Sequence, residues 1–186
     1  ASQWLRLAEL VHRAVPYPVL LIQALTQGAA AASEDSTPTQ PTQLALSLAH
    51  KRAAQNEAGK VVLDGELVRS ELLGIDPGAA SVVGPLLEAM ALDRQPHQDL
   101  MALYQGWMDC LTAAEAARLT GNFRLPSGPT AAAAQRDALR ACQRLEQEAA
   151  RLRSLAAKER QIAKQVDLNL ELQRLDARLR VARAQL

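Results

Sequence analysis

Apolar side chains recur at helical spacing from residue 3 to residue 15. Leu7, Leu10, Val11 and Ala14 step by three and four, and Pro16 ends the run. The spacing predicts a short amphipathic helix with those four residues on its buried face. Val19-Leu20-Leu21-Ile22 follows as a brief continuous apolar stretch between turn residues, the pattern of a buried strand. Leu44 to Ala49 alternates large and small side chains, which predicts a second strand with one face on a core. Val61-Val62-Leu63, closed by Asp64-Gly65, predicts a third beside it. Between the first two strands, residues 28–41 are rich in Ala, Ser, Thr and Pro without apolar periodicity, as expected of a mobile linker.

The second half changes character. Pro77-Gly78 marks a turn, and residues 80–92 read as a short helix despite Gly84-Pro85. Leu100, Leu103, Tyr104, Trp107 and Leu111 form one broad helical stripe, which Gly121 closes. Residues 126–129 make a second linker. From Ala131 to Leu186 the chain contains neither Gly nor Pro. Leu145, Ala149, Leu152, Ala156, Ala163, Val166 and Leu170 fit steps of three and four, interrupted at Glu159. Leu168, Leu172, Leu175, Leu179, Ala182 and Leu186 fit the same steps in a shifted register. The shift implies a break between residues 166 and 172 in any supercoil. A single rod of roughly 55 residues would reach about 80 Å, so the segment is either a coiled coil or a hairpin, and an assembly element in both cases. The expected architecture is α+β. A small, mainly antiparallel sheet with packed helices over residues 1–125 precedes long C-terminal helices over residues 130–186.

Composition narrows the function classes. The 186 residues are 48% hydrophobic, which supports a packed core. No stretch approaches a membrane-spanning run, and Ala1-Ser2-Gln3-Trp4 lacks the basic and apolar regions of a signal peptide. Two cysteines, Cys110 and Cys142, form neither a disulfide framework nor a zinc site, so the expected setting is a reducing cytoplasm with no metal or cofactor. Net charge is +1, unevenly placed: residues 130–186 carry 12 Lys and Arg against 7 Asp and Glu. The basic end suits an acidic surface.

His50, Lys51 and Arg52, with Lys60 beyond, form the densest polar cluster at a strand exit. Such donors can hold a phosphate or a partner's carboxylate; a solvated strand end gives the same pattern. Glu57, Lys60, Asp64 and Glu66 lack the spacing that sets a nuclease's carboxylates and lysine on one strand face. The sequence has no phosphate-binding loop, nucleophile elbow or zinc spacing, so it does not read as an enzyme. Tyr104 and Trp107 suit a core better than a stacking platform. Arg174, Arg178, Arg180 and Arg183 could track phosphates or sit on the solvated flanks of a coiled coil.

Taken together, several blocks give the chain a family likeness. They are Leu10 with Ala14-Val15-Pro16-Tyr17-Pro18-Val19-Leu20-Leu21; Leu46 to Arg52, with Gln55 and Lys60-Val61; and Leu100 to Trp107 and Ala117 to Gly121. The C-terminal blocks are Lys158 to Gln161, Val166 to Asn169 and Leu172 to Leu175. In this order they resemble a bacterial family, domain-of-unknown-function family 4391. The resemblance implies members that begin upstream with a further helix and strands, so that Ala1 would be an internal start. It also implies a place in anti-phage gene clusters, beside a DNA helicase or translocase and a restriction-type methyltransferase. The expected function is a non-enzymatic accessory subunit docking a helicase or translocase. Its coiled-coil contact would run through Leu168, Leu172, Leu175 and Leu179, with His50, Lys51, Arg52 and Lys60 facing partner or DNA. The alternative is a DNA-binding module using the basic strand exit and the terminal arginines.

Overall fold

The computed structural model describes residues 3–25, 43–57, 59–70, 73–74 and 80–186. The linker expected over residues 28–41 and the Pro77-Gly78 turn lie outside these. The chain divides into two compact units, residues 1–125 and 126–186. The first is α+β as the periodicity predicts, and the second is helical.

The first unit is built around strand β2 (Gln43–Leu48). It pairs antiparallel with β1 (Leu21–Leu25) on one side, and with the short segments β5 (Val68–Arg69) and β6 (Leu73–Gly74) on the other. The registers of β5 and β6 against β2 differ by one residue, so the edge holds one extra residue between them, as at a bulge. Ser70 occupies this irregularity. Its N–H donates to the Leu46 carbonyl at 2.9 Å, and its Oγ accepts from the Leu46 N–H at 2.8 Å. The hydroxyl thus stands in for the strand carbonyl that a regular ladder would offer.

The alternation along β2 sorts its two faces by size. Leu46 and Leu48 enter the main core with Leu86 and Ala89 of α2 (Ala80–Ala89), and with Tyr104, Met108, Cys110, Leu111 and Ala114 of α3 (Leu100–Thr120). Ala45 and Ser47 point the other way, where the small side chains let α1 (Gln3–Ala14) approach through Ala8 and His12. Helices therefore cover both faces of the sheet, and β2 is buried on each. The exposed face of α1 corrects the sequence expectation: Leu7 and Leu10 are 53% and 64% exposed, while Ala8 and His12 are sealed. Periodicity alone placed the stripe one residue too early, because Ala and His match the small residues of β2 better than Leu does.

Two further differences concern strands and helix ends. Lys51–Ala53 forms β3 and pairs with β4 (Val61–Leu63) in a separate two-stranded ladder, so β4 does not join the main sheet. The helix expected over residues 80–92 ends at Ala89 and is followed by a 3₁₀ turn, Leu92–Arg94. Helix α3 starts where Asp99 accepts the Ala102 N–H at 2.7 Å, and stops at Gly121, whose φ of 77° places it in the left-handed region. Leu100, expected as part of the apolar stripe, is instead 83% exposed at the helix start. Gly106 is required by close packing: a Cβ there would strike the Gln95 carboxamide oxygen and lie 2.9 Å from Pro96 Cδ.

The second unit is a helical hairpin. Helix α4 (Pro129–Lys158) and α5 (Ile162–Arg183) pack on each other. Ion pairs Glu146–Arg183 and Arg153–Asp176 fix the sense: seven residues forward on α4 is seven back on α5, so the helices are antiparallel. The inner residues of α4 from Ala138 through Cys142, Leu145, Ala149 and Leu152 to Ala156 alternate steps of four and three. The break falls at residues 159–161, earlier than the register shift suggested. Glu159 Oε1 accepts the N–H groups of Arg160 and Gln161, both at 2.8 Å, covering donors that the start of α5 leaves open. Those N–H groups, that of Gln161 first, hold the Glu159 carboxyl below its ordinary range. Val166 and Leu170 are about half exposed and belong outside the seam.

Tyr104 ties α3 to the sheet. Its hydroxyl accepts the buried Ala49 N–H at 2.9 Å and lies 2.9 Å and 3.1 Å from the carbonyls of Val19 and Ala49. Tyr104→Phe keeps the ring but leaves the Ala49 N–H without its partner. It should lower unfolding free energy by about 1–3 kcal/mol in urea titration; an unchanged midpoint would show the hydroxyl to be dispensable.

Candidate functional site

The strand exit singled out by sequence is where α1, the β2–β3 junction and α3 meet. The structure directs its polar side chains to different places. His50 packs against Tyr104 with ring centroids 5.7 Å apart and the planes tilted by 57°, and its Nε2 lies 2.7 Å from Gln105 Oε1. Gln105 in turn donates to Asp109 at 2.8 Å. Lys51 turns inward: its Nζ donates to the His12 carbonyl at 2.8 Å and also to the Val15 carbonyl. These acceptors lie at the C-terminal end of α1, where carbonyls lack helical partners and the helix dipole is negative. Lys51 is therefore a cap held on another element. Burial pushes its pKa below the ordinary lysine value.

Arg52 and Lys60 stay outside. Arg52 Nε lies 3.5 Å from Asp64 across the β3–β4 ladder, and Lys60 Nζ lies 2.8 Å from Glu57 in the turn. Pairs this exposed contribute about 0–1 kcal/mol, so both cations remain able to exchange partners. The four residues therefore do not converge on one point: one faces α3, one caps α1, and two sit in separate surface pairs.

Sequence reasoning missed the most enclosed polar group nearby. His12 is 1% exposed, with Nε2 3.0 Å from Ser47 Oγ; its Nδ1 has no hydrogen-bond partner. An Nε2–H that donates to Ser47 leaves only a lone pair orphaned, which is the cheaper of the two neutral arrangements. Burial first, and then the Lys51 charge, lowers the His12 pKa. The only sequence signal was a histidine four residues after Ala8 on one helix face. Burial likewise pushes the thiols of Cys110 and Cys142 up, which keeps them protonated and unreactive.

The leucines assigned to a coiled-coil interface lie along one line of α5. Leu175 and Leu179 are buried, and Leu168 and Leu172 are half-buried. Since α5 packs on α4, this line forms the seam of the hairpin within one chain. The opposite flanks of that seam differ. Glu146–Arg183 and Arg153–Asp176 close one. A groove runs along the other, lined by Glu148, Asp167, Leu170, Glu171, Arg174 and Arg178, and continued by Leu145, Ala177 and Val181.

Two predictions follow from the strand exit. Because the folded pKa of His12 lies below the unfolded value of about 6.5, the unfolded state binds the extra proton on acidification. His12 therefore contributes full stability above that pH, and the contribution is lost as pH falls below it, by at most about 1.4 kcal/mol per unit. Urea midpoints at pH 7.5 and 5.5 should differ in the native protein and converge in His12→Gln; equal slopes would remove this role. Lys51→Met should cost about 1–2 kcal/mol and fray α1, seen as faster amide exchange over residues 10–15. Unchanged exchange there would mean that the ammonium does not cap the helix.

Among the described residues no group of His, Cys, Asp and Glu could hold a metal ion, and no helix is long and apolar enough to cross a membrane. No curated protein and no solved structure matches the chain. A family model does, over residues 3–179, and this span takes in the Tyr104 tie, the Lys51 cap and nearly all of the hairpin. The chain belongs to the family described as domain of unknown function (DUF4391).

Proposed function

We propose that this protein is a non-enzymatic interaction subunit of a bacterial anti-phage, restriction-like defence complex. It docks a DNA helicase or translocase, with a restriction-type methyltransferase as a further neighbour. The observation that carries this is the hairpin of residues 126–186. Its α4 alone, 30 residues long, extends about 45 Å. Outside the seam most residues of the two helices are exposed and can present side chains to partners. Near the turn, Ile162 and Val166 are 79% and 50% exposed, the apolar contact that a partner would cover. The four inner leucines support the hairpin itself, so the docking role passes to these outward residues. In the first unit, His12, Ser47 and Lys51 are engaged in holding α1 to the sheet.

A DNA-binding module is the alternative. It is favoured by the surplus of five positive charges over residues 130–186 and by the side chains of Arg52 and Lys60, which remain 47% and 56% exposed in their ion pairs. Affinity purification from the native host, with and without nuclease, separates the two. A helicase or methyltransferase retained after nuclease, and lost in Ile162→Asp/Val166→Asp, is the expected result. Recovery that nuclease abolishes would replace docking by DNA bridging. Recovery of no such partner in either condition would reject the defence-complex role.

A further inference from the structure

The open flank of the hairpin carries an ordered charge pattern. Asp167, Glu171, Arg174 and Arg178 follow one another along α5 at steps of four, three and four, so they share one face of the helix. All four line the groove beside the seam. Among the described residues none of them makes an ion pair, whereas the residues facing the opposite flank, Asp176 and Arg183, both do.

Within one chain this order is only partly favourable, since Glu171 and Arg174, three residues apart, attract while the outer pairs repel. Asp167 and Glu171 are like charges four residues apart, and so are Arg174 and Arg178; each such pair opposes helix formation by about 0.2–0.5 kcal/mol. The sequence acid, acid, base, base is antisymmetric about a point between Leu172 and Gln173. A second copy of α5 laid antiparallel across that point brings Asp167 against Arg178 and Glu171 against Arg174, and symmetry repeats both pairs. A parallel copy would set acid on acid. Apolar side chains flank the charges on the same side: Leu170 is 47% exposed and Val181 64%. Leu155 of α4, one heptad beyond the groove residue Glu148, is 45% exposed. Covering them adds apolar burial to the charge pairing.

We infer that the open flank of the C-terminal hairpin is the self-association surface of this protein. Two copies pair through antiparallel α5 helices across a two-fold axis near Leu172, giving a four-helix bundle. The interface is isologous, the same patch meeting itself, as two-fold symmetry demands. It is distinct from the exposed residues Ile162 and Val166 assigned to the helicase partner, so the dimer and the docking role stand or fall separately.

The test is a charge exchange on the full-length chain, read by sedimentation equilibrium over a concentration series. The native protein should be a dimer. Arg174→Glu/Arg178→Glu makes the flank wholly acidic, and Asp167→Lys/Glu171→Lys makes it wholly basic. Each alone should raise the dimer dissociation constant about a hundredfold, since four attractive pairs become repulsive. Mixing the two variants should restore a one-to-one heterodimer, which also shows that both are folded; far-UV circular dichroism should report unchanged helix content in each. A native protein that sediments as a monomer throughout would overturn the proposal. So would a charge-reversed variant that still dimerises alone, or a mixture of two helical variants that stays monomeric.

Discussion

A six-residue strand buried on both faces must satisfy its backbone polar groups without water, and β2 meets this constraint with side chains as well as neighbouring strands. Where the β5–β6 edge slips by one residue, Ser70 Oγ accepts the Leu46 N–H in place of a carbonyl. Where the strand ends, Tyr104 reaches from α3 to accept the Ala49 N–H. On the α1 face the hydroxyl of Ser47 meets His12. Each of these groups is buried, so each is worth more as a partner than it would be at the surface, and losing any one strands a donor in a dry site. The helices on the two sides of the sheet are thus held by hydrogen bonds directed at one strand, with apolar contact filling the space between.

The hairpin answers a different constraint. An antiparallel pair of helices buries one seam and leaves two flanks, and grouped like charges on a flank repel modestly unless opposite signs meet them. On one flank they meet within the chain, through Glu146–Arg183 and Arg153–Asp176. On the other the like charges are grouped along α5, and among the described residues none of the four forms an ion pair with α4. Glu148, the α4 carboxylate in that groove, stands level with residue 181 by the register of the ion pairs on the first flank, toward the basic end, and forms no ion pair there among the described residues. The same physics that closes the first flank makes the second complementary to its own reversed copy.

Element types were legible where periodicity was long and uninterrupted. The α3 helix, with Gly121 as its stop, and the helical character of residues 131–186, which hold neither Gly nor Pro, could be read directly, as could β2 and β4. The errors have physical causes. In α1 the larger Leu7 and Leu10 outweigh Ala8 in any hydropathy pattern, but the helix buries Ala8 and His12, the latter hydrogen-bonded to Ser47 of β2. β5 and β6 are two residues each, below the length at which alternation carries a signal. The break at residues 159–161 contains neither Gly nor Pro; it is made by Glu159 covering backbone N–H groups, which a reader of breakers does not see. The heptad steps of Leu168, Leu172, Leu175 and Leu179 were plain, yet spacing does not say which helix fills the seam.

The basic strand exit shows why adjacent cations are a weak guide to a binding surface. Alternation sends His50 and Lys51 in different directions, and Lys51 then finds two carbonyls at the C-terminal end of α1. A helix terminus attracts an ammonium for the same reason that a phosphate does: both need the opposite charge brought close with good geometry. The nearer acceptor wins, and here it belongs to the fold. Arg52 and Lys60 are left on the surface, each beside a carboxylate that screens it. The strand exit consequently presents little unpaired charge. The hairpin, in contrast, exposes ordered charges that make no ion pair among the described residues, with exposed apolar residues beside them. Recognition by this protein is therefore better sought along α5 than at the strand exit.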